Sequence, residues 1–131
     1  MADLANRSAL IIEDNPGDTK VLQSLLSRIG VTYLAIDPHN ILSGLSQAPI
    51  PDVIFLDLEM PEMNGYEVLA ELQASPDFDG VPVVAYTSHT SQMAAAREAG
   101  FTGFLGKPLV SAEFAKQLEE IISGGSVWEV R

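Results

Sequence analysis

Five reactive side chains close short apolar runs in this chain. "ALII" leads into Glu13 and Asp14, "VIFL" into Asp57, "VPVVAY" into Thr87, and "FTGFLG" into Lys107. Ligands of open parallel sheets gather outside the carboxyl ends of the strands. If the runs are neighbouring strands, one pocket collects three carboxylates, a hydroxyl and an ammonium. Three acids against one base leave negative charge that a partly buried site cannot keep ionised unless something offsets it. A divalent cation would do so, and hard oxygen donors without cysteine or clustered histidine select Mg²⁺ or Mn²⁺ over Zn²⁺. Mg²⁺ keeps waters and accepts phosphoryl oxygens, so the pocket suits phosphoryl chemistry. Taken singly, each residue has a plainer role: Ser88 as a helix cap, the acids as partners of helix dipoles, Thr87 as a strand residue, Lys107 as a surface charge. It is the recurrence at every central strand end that singles out the set.

The elements that would position these groups alternate along the chain. Ala9–Ile12, Val31–Ile36, Val53–Leu56, Val81–Tyr86 and Phe101–Leu105 are short runs rich in β-branched and aromatic residues. Between them lie segments of helical period. Asn15 is placed to cap the first, with Pro16 at its first position, Asp18 in its first turn, and Val21, Leu22, Leu25, Leu26 and Ile29 on one face. A short second helix would carry Ile41, Leu42 and Leu45, and a third would run from Gly65 to about Ala74. A fourth is expected from about Ser88 to Ala99 with Met93 as its one large apolar residue, and the last over Ser111–Ser123. Five strands alternating with five helices predict a parallel sheet covered on both faces. "SGGSVWEVR" reads as a frayed tail or the start of a linker, which would leave Trp128 a poor reporter on the pocket.

The chain has 131 residues, 47% of them hydrophobic, which suffices for one core. A formal charge of −11 opposes binding to nucleic acid or an anionic membrane. No cysteine is present, no apolar run reaches membrane-spanning length, and a cytoplasmic single domain is expected.

Four motifs, "IIEDNPGD", "DVIFLDLEMPEMNGYEVL", "VPVVAYTS" and "GFTGFLGKPL", occur in the order and spacing of a known family. The chain resembles the receiver domain of bacterial response regulators, most closely the stand-alone, chemotaxis-type form, over about Ser8 to Ser123. The resemblance implies a doubly wound, flavodoxin-like five-stranded parallel sheet in the order 2-1-3-4-5. Residues 1–125 would form the receiver and 126–131 a tail or linker start. Asp57 would accept a phosphoryl group from a histidine kinase, a phosphotransfer protein or a small phosphodonor. Asp14, Asp57 and the backbone carbonyl of Glu59 would bind Mg²⁺, with Glu13 acting through water. Lys107 and Thr87 would each hold a phosphoryl oxygen. Thr87 and Phe104, the aromatic residue three before the lysine, would form the switch, although many relatives have Tyr where Phe104 stands. Glu59 and His89 occupy positions where family members vary beside the phosphoryl group and tune its lifetime, though His89 reads more readily as a first-turn residue of a solvated helix.

The implied function is a two-component signalling switch, monomeric or weakly dimeric, with a downstream protein partner and no output domain after Ser123. Its only chemistry would be Mg-dependent self-phosphorylation and slow self-dephosphorylation. Two other functions compete. A degenerate receiver would bind its partner constitutively, against which stands the complete set Glu13, Asp14, Asp57, Thr87 and Lys107. A haloacid-dehalogenase-like phosphatase would use Asp57 and Glu59 as an acidic pair, but such enzymes carry Asp at the second place and put the nucleophile on their first motif strand.

Overall fold

The structure, a computed structural model, describes residues 4–13, 15–36, 49–58, 64–107 and 109–129. The strands among these residues are β1 (Ser8–Ile12), β2 (Thr32–Ile36), β3 (Val53–Asp57), β4 (Val83–Thr87), β5 (Gly103–Gly106) and β6 (Trp128–Glu129). The α-helices are α1 (Pro16–Arg28), α2 (Gly65–Ala74), α3 (Met93–Ala99) and α4 (Ser111–Ile122). The helix expected on Ile41, Leu42 and Leu45 lies outside the described residues.

All strand pairs are parallel, in the order β2-β1-β3-β4-β5-β6, so the doubly wound 2-1-3-4-5 arrangement is present with one strand added at its end. Helix starts follow local side-chain chemistry. The Asn15 side chain accepts the Asp18 N–H at 3.1 Å beside Pro16, and the Asn64 side chain accepts the Tyr66 N–H at 2.9 Å. Each satisfies a backbone donor that the first helical turn leaves without a partner.

Strand alternation divides the core into two layers. Ala9, Ile11, Val53, Phe55, Val84, Tyr86 and Leu105 face α1 (Leu22, Leu25, Leu26) and α4 (Phe114, Leu118, Ile121). Leu10, Ile12, Ile54, Leu56, Val83, Ala85 and Phe104 face α2 (Val68, Leu69, Leu72) and α3 (Ala96). Full burial of one such side chain contributes about 1.5–3 kcal/mol, and both faces of the central strands are filled. The same alternation continued to the strand ends sends Glu13, Asp57 and Lys107 to the α1 side, and Thr87 to the side of Phe104.

Two expectations change. The segment after β4 opens with a 3₁₀ turn at Thr90–Gln92, and α3 spans only Met93–Ala99 with Ala96 as its buried residue. "SHTSQ" offers no apolar side chain to dock before Met93, so nothing draws those residues into a packed α-helix. The segment expected as a frayed tail instead supplies β6. Trp128 pairs in register with Phe104, the Phe104 N–H donates to the Val127 carbonyl at 2.7 Å, and the Arg97 guanidinium lies 4.4 Å from the centre of the Trp128 ring. Backbone bonds to the β5 edge and a cation–π contact hold this strand, neither of which a local pattern announces.

Candidate functional site

Asp57 is the last residue of β3, the middle strand of the first five, and is 1% exposed. Val53 to Leu56 are fully packed on both faces, so the carboxylate has little freedom beyond its own side-chain torsions. Beside it, Glu13 continues β1 and is equally buried. Its Oε1 accepts the Asn15 N–H at 3.0 Å and its Oε2 accepts the Tyr86 hydroxyl at 2.5 Å. Tyr86 is the register partner of Asp57 across β3 and β4, and its ring meets Phe55 edge-on at 6.4 Å.

Lys107 follows β5 and reaches back over the pocket. Its Nζ lies 2.7 Å from Asp18 Oδ2, 3.2 Å from Asp57 Oδ1 and 3.7 Å from Glu13 Oε2. The ammonium also sits 4.8 Å from the centre of the Tyr86 ring. One carboxylate oxygen each from Glu13, Asp18 and Asp57 lie within 4.8 Å of one another.

The crowding has an electrostatic consequence. Burial, and then the hydrogen bond Glu13 shares with Asp57, push the Glu13 carboxyl up to about 8, against the opposing pull of the bonds from Tyr86 and Asn15. Burial likewise raises the Tyr86 hydroxyl, reinforced by its contact with Glu13, so the phenol remains a donor.

Thr87 ends β4 and is fully buried on the opposite side of the sheet from Asp57. Its Oγ1 accepts the His89 N–H at 3.0 Å, and its carbonyl accepts the Lys107 N–H at 2.9 Å. Phe104 shares that side, buried among the α2 and α3 contacts. His89 is exposed and precedes the 3₁₀ turn, outside a helical first turn. The structure thus brings together Glu13, Asp57 and Lys107, and sets Thr87 and Phe104 on the far side of the same strand ends. Asp14 and Glu59 lie outside the described residues.

Sequence reasoning missed Asp18 and Tyr86. Asp18 carries the signal of an ordinary first-turn acid, yet α1 starts at the carboxyl end of β1, which places its first turn over the pocket. Tyr86 has the same strand parity as Asp57 once β3 and β4 are aligned, and that alignment would have found it.

A flavodoxin-like sheet with an acidic cluster at its carboxyl edge defines a class of doubly wound α/β proteins whose site lies at the strand ends. This chain belongs to the response regulator receiver domain family, whose pattern matches residues 9–119. Receiver domains are the signalling switches of two-component systems. The chain is 23% identical over 121 residues to the chemotaxis protein CheY homolog of Campylobacter jejuni, covering 89% of this chain and 93% of that protein. It is 30% identical over 99 residues to response regulator Rcp1 of Synechocystis, with 67% of each covered. It also matches the sensor histidine kinase CheAY of Helicobacter pylori at 33% over 105 residues, 76% of this chain but only 13% of that protein. Among solved structures, the chemotaxis response regulator CheY4 of Vibrio cholerae shares the fold, with a TM-score of 0.77 at 24% identity over 88% of this chain and 98% of that one. The receiver domain of sensor histidine kinase PA1611 from Pseudomonas aeruginosa superposes with a TM-score of 0.78 at 26% identity, over 92% of this chain and 100% of that one. That domain has a magnesium ion coordinated in its active-site cleft.

Proposed function

We propose that this receiver accepts a phosphoryl group on Asp57 from a histidine kinase or a phosphotransfer protein and thereby changes its binding to a protein partner. The observation that carries the proposal is a buried carboxylate at the end of a central strand, 3.2 Å from a lysine ammonium. In the reaction, an Asp57 carboxylate oxygen attacks the phosphorus of a phosphohistidine. The O–P bond forms, the P–N bond breaks, and the imidazole leaves with the electron pair and takes a proton from water. Asp57 is held for this attack by the packing of β3. Lys107 meets the charge that builds on the transferring oxygens, which is most of what such a reaction asks of a protein.

The donor set fits Mg²⁺. Its oxygens are hard, and three carboxylates against one ammonium leave negative charge that a cation would relieve. Asp57, with Asp14 and the Glu59 carbonyl, would hold the ion and Glu13 would act through its water; when bound the ion supplies positive charge beside the phosphoryl oxygens. The magnesium in the PA1611 receiver domain supports this assignment.

For the switch, the Thr87 hydroxyl exchanges its bond from the His89 N–H for a phosphoryl oxygen, and Phe104, on the same side, repacks. The adjoining α3 buries a single residue, Ala96, where each of the other described α-helices buries three or four, and is therefore the helix least costly to shift. In this reading the receiver occupies residues 1–125 together with the edge strand β6, works in the cytoplasm, and is monomeric or weakly dimeric. A charge of −11 directs it towards protein partners and away from nucleic acid. Among the described residues no helix is long and apolar enough to cross a membrane.

The test is intact-mass spectrometry after incubation with acetyl phosphate, with and without Mg²⁺, on the wild type and Asp57→Asn. A single phosphoryl adduct that needs both the ion and Asp57 is expected. Without an adduct from acetyl phosphate or from histidine kinases, the chain would be a constitutive binder. Phosphate that accumulates while any adduct vanishes at once would make it a phosphatase.

A further inference from the structure

The Lys107 ammonium is closer to Asp18, at 2.7 Å, than to Asp57, at 3.2 Å. Asp18 is the third residue of α1, and the cap bond from its N–H to Asn15 fixes its backbone over the pocket. The Tyr86 ring lies 4.8 Å from the same ammonium, and its hydroxyl is engaged by Glu13. Glu13 Oε2 lies further off at 3.7 Å, so among the described residues the ammonium has four neighbours, of which Asp18 and Tyr86 take no part in the reaction described above.

We propose that Asp18 is a positioning residue for phosphoryl transfer, competing with Asp57 for the Lys107 ammonium and drawing it off the acceptor while Asp57 is unmodified. This rests on Asp57 as the phosphoryl acceptor. An acyl phosphate adds negative charge at Asp57 and none at Asp18, so phosphorylation tilts the contest and moves Lys107 to the phosphoryl oxygens. The Asp18 side chain is 38% exposed and that of Lys107 12%, which leaves the head group room to change partners. The competition costs affinity for the phosphoryl group and shortens its residence. An acid that served only the α1 dipole would affect helix stability and not this affinity.

Beryllofluoride, an analogue of the phosphoryl group, is titrated with saturating Mg²⁺ into the wild type, Asp18→Asn, Lys107→Gln and the double variant, followed by amide NMR. Asp18→Asn is expected to bind it roughly three- to fivefold more tightly, the scale of a partly exposed charge pair. In the Lys107→Gln background the gain should vanish. In metal-free protein, the slowly exchanging Lys107 ammonium resonance of the wild type should broaden in Asp18→Asn. Asp18→Ser serves as a second variant and should behave alike. Equal or weaker binding by both Asp18 variants overturns the proposal, as does a gain that persists without Lys107, which would be a general charge effect. If the wild type binds no beryllofluoride and takes no phosphoryl group, the assignment of Asp57 fails and Asp18 falls with it.

Discussion

Binding of Mg²⁺ should expel a proton, because Glu13 is held protonated in the metal-free pocket. With its carboxyl raised to about 8, Glu13 is mostly protonated at pH 7. A cation that needs the ionised form then releases most of one proton per ion bound at pH 7 and little at pH 9. Affinity for Mg²⁺ should accordingly rise about tenfold per pH unit towards pH 8 and level off above it. Calorimetric titration in buffers of different ionisation enthalpy measures the proton count directly, as the slope of observed heat against buffer heat. The same group sets the stability of the metal-free protein. Its ordinary value is 4.5 and its folded value about 8, so the folded chain holds more protons than the unfolded chain between these limits. Stability is therefore greatest below about pH 4.5 as far as this group is concerned, and is lost as pH rises to about 8, at up to about 1.4 kcal/mol per pH unit. Glu13→Gln should flatten this slope and abolish the proton release while weakening Mg²⁺ binding. Heats at pH 7 that do not depend on the buffer would refute the reasoning, since they would mean that Glu13 is already ionised in the empty pocket.

Phe55→Ala should cost about 3–5 kcal/mol, measured as a lower urea midpoint, because the ring is fully buried and packs against both Tyr86 and Phe114. Trp128 emission should respond to phosphorylation, because Trp128 pairs with Phe104 and lies under Arg97 of α3; a spectrum indifferent to beryllofluoride would separate β6 from the switch. Gly103→Ala brings a Cβ to 3.0 Å from the Val127 carbonyl and should loosen β6, seen as a red-shifted Trp128 emission. Tyr86→Phe removes the hydroxyl that holds Glu13 while keeping the ring under Lys107, so it should weaken Mg²⁺ binding several-fold without unfolding the domain.

The parallel sheet and the charged residues at its carboxyl edge were legible because they depend on local pattern. A short β-branched run such as Val53–Leu56, bounded by turn signals, fits an interior strand, and an acid directly after it then emerges at the strand's end. Glu13, Lys107 and Thr87 were visible for the same reason. Asp18 was hidden because its chemistry comes from where α1 crosses the sheet, which local sequence does not encode. Tyr86 was hidden by register, since its link to Glu13 requires β1, β3 and β4 to be aligned. Trp128–Glu129 is too short for strand periodicity, and its order comes from Phe104 and Arg97, both distant in sequence. The 3₁₀ turn at Thr90–Gln92 reflects what the segment lacks, an apolar face, and a count of helix formers overestimates it.

The most direct measurement is the position of the phosphoryl group. After reaction with acetyl phosphate and Mg²⁺, borohydride reduction converts an aspartyl phosphate to homoserine, which peptide mass spectrometry locates in the chain. Homoserine at position 57 alone, absent without Mg²⁺ and strongly reduced in Lys107→Gln, is the predicted result. Homoserine at position 14 or 18, or none while the protein still carries phosphate, would contradict the assignment of Asp57 as the acceptor.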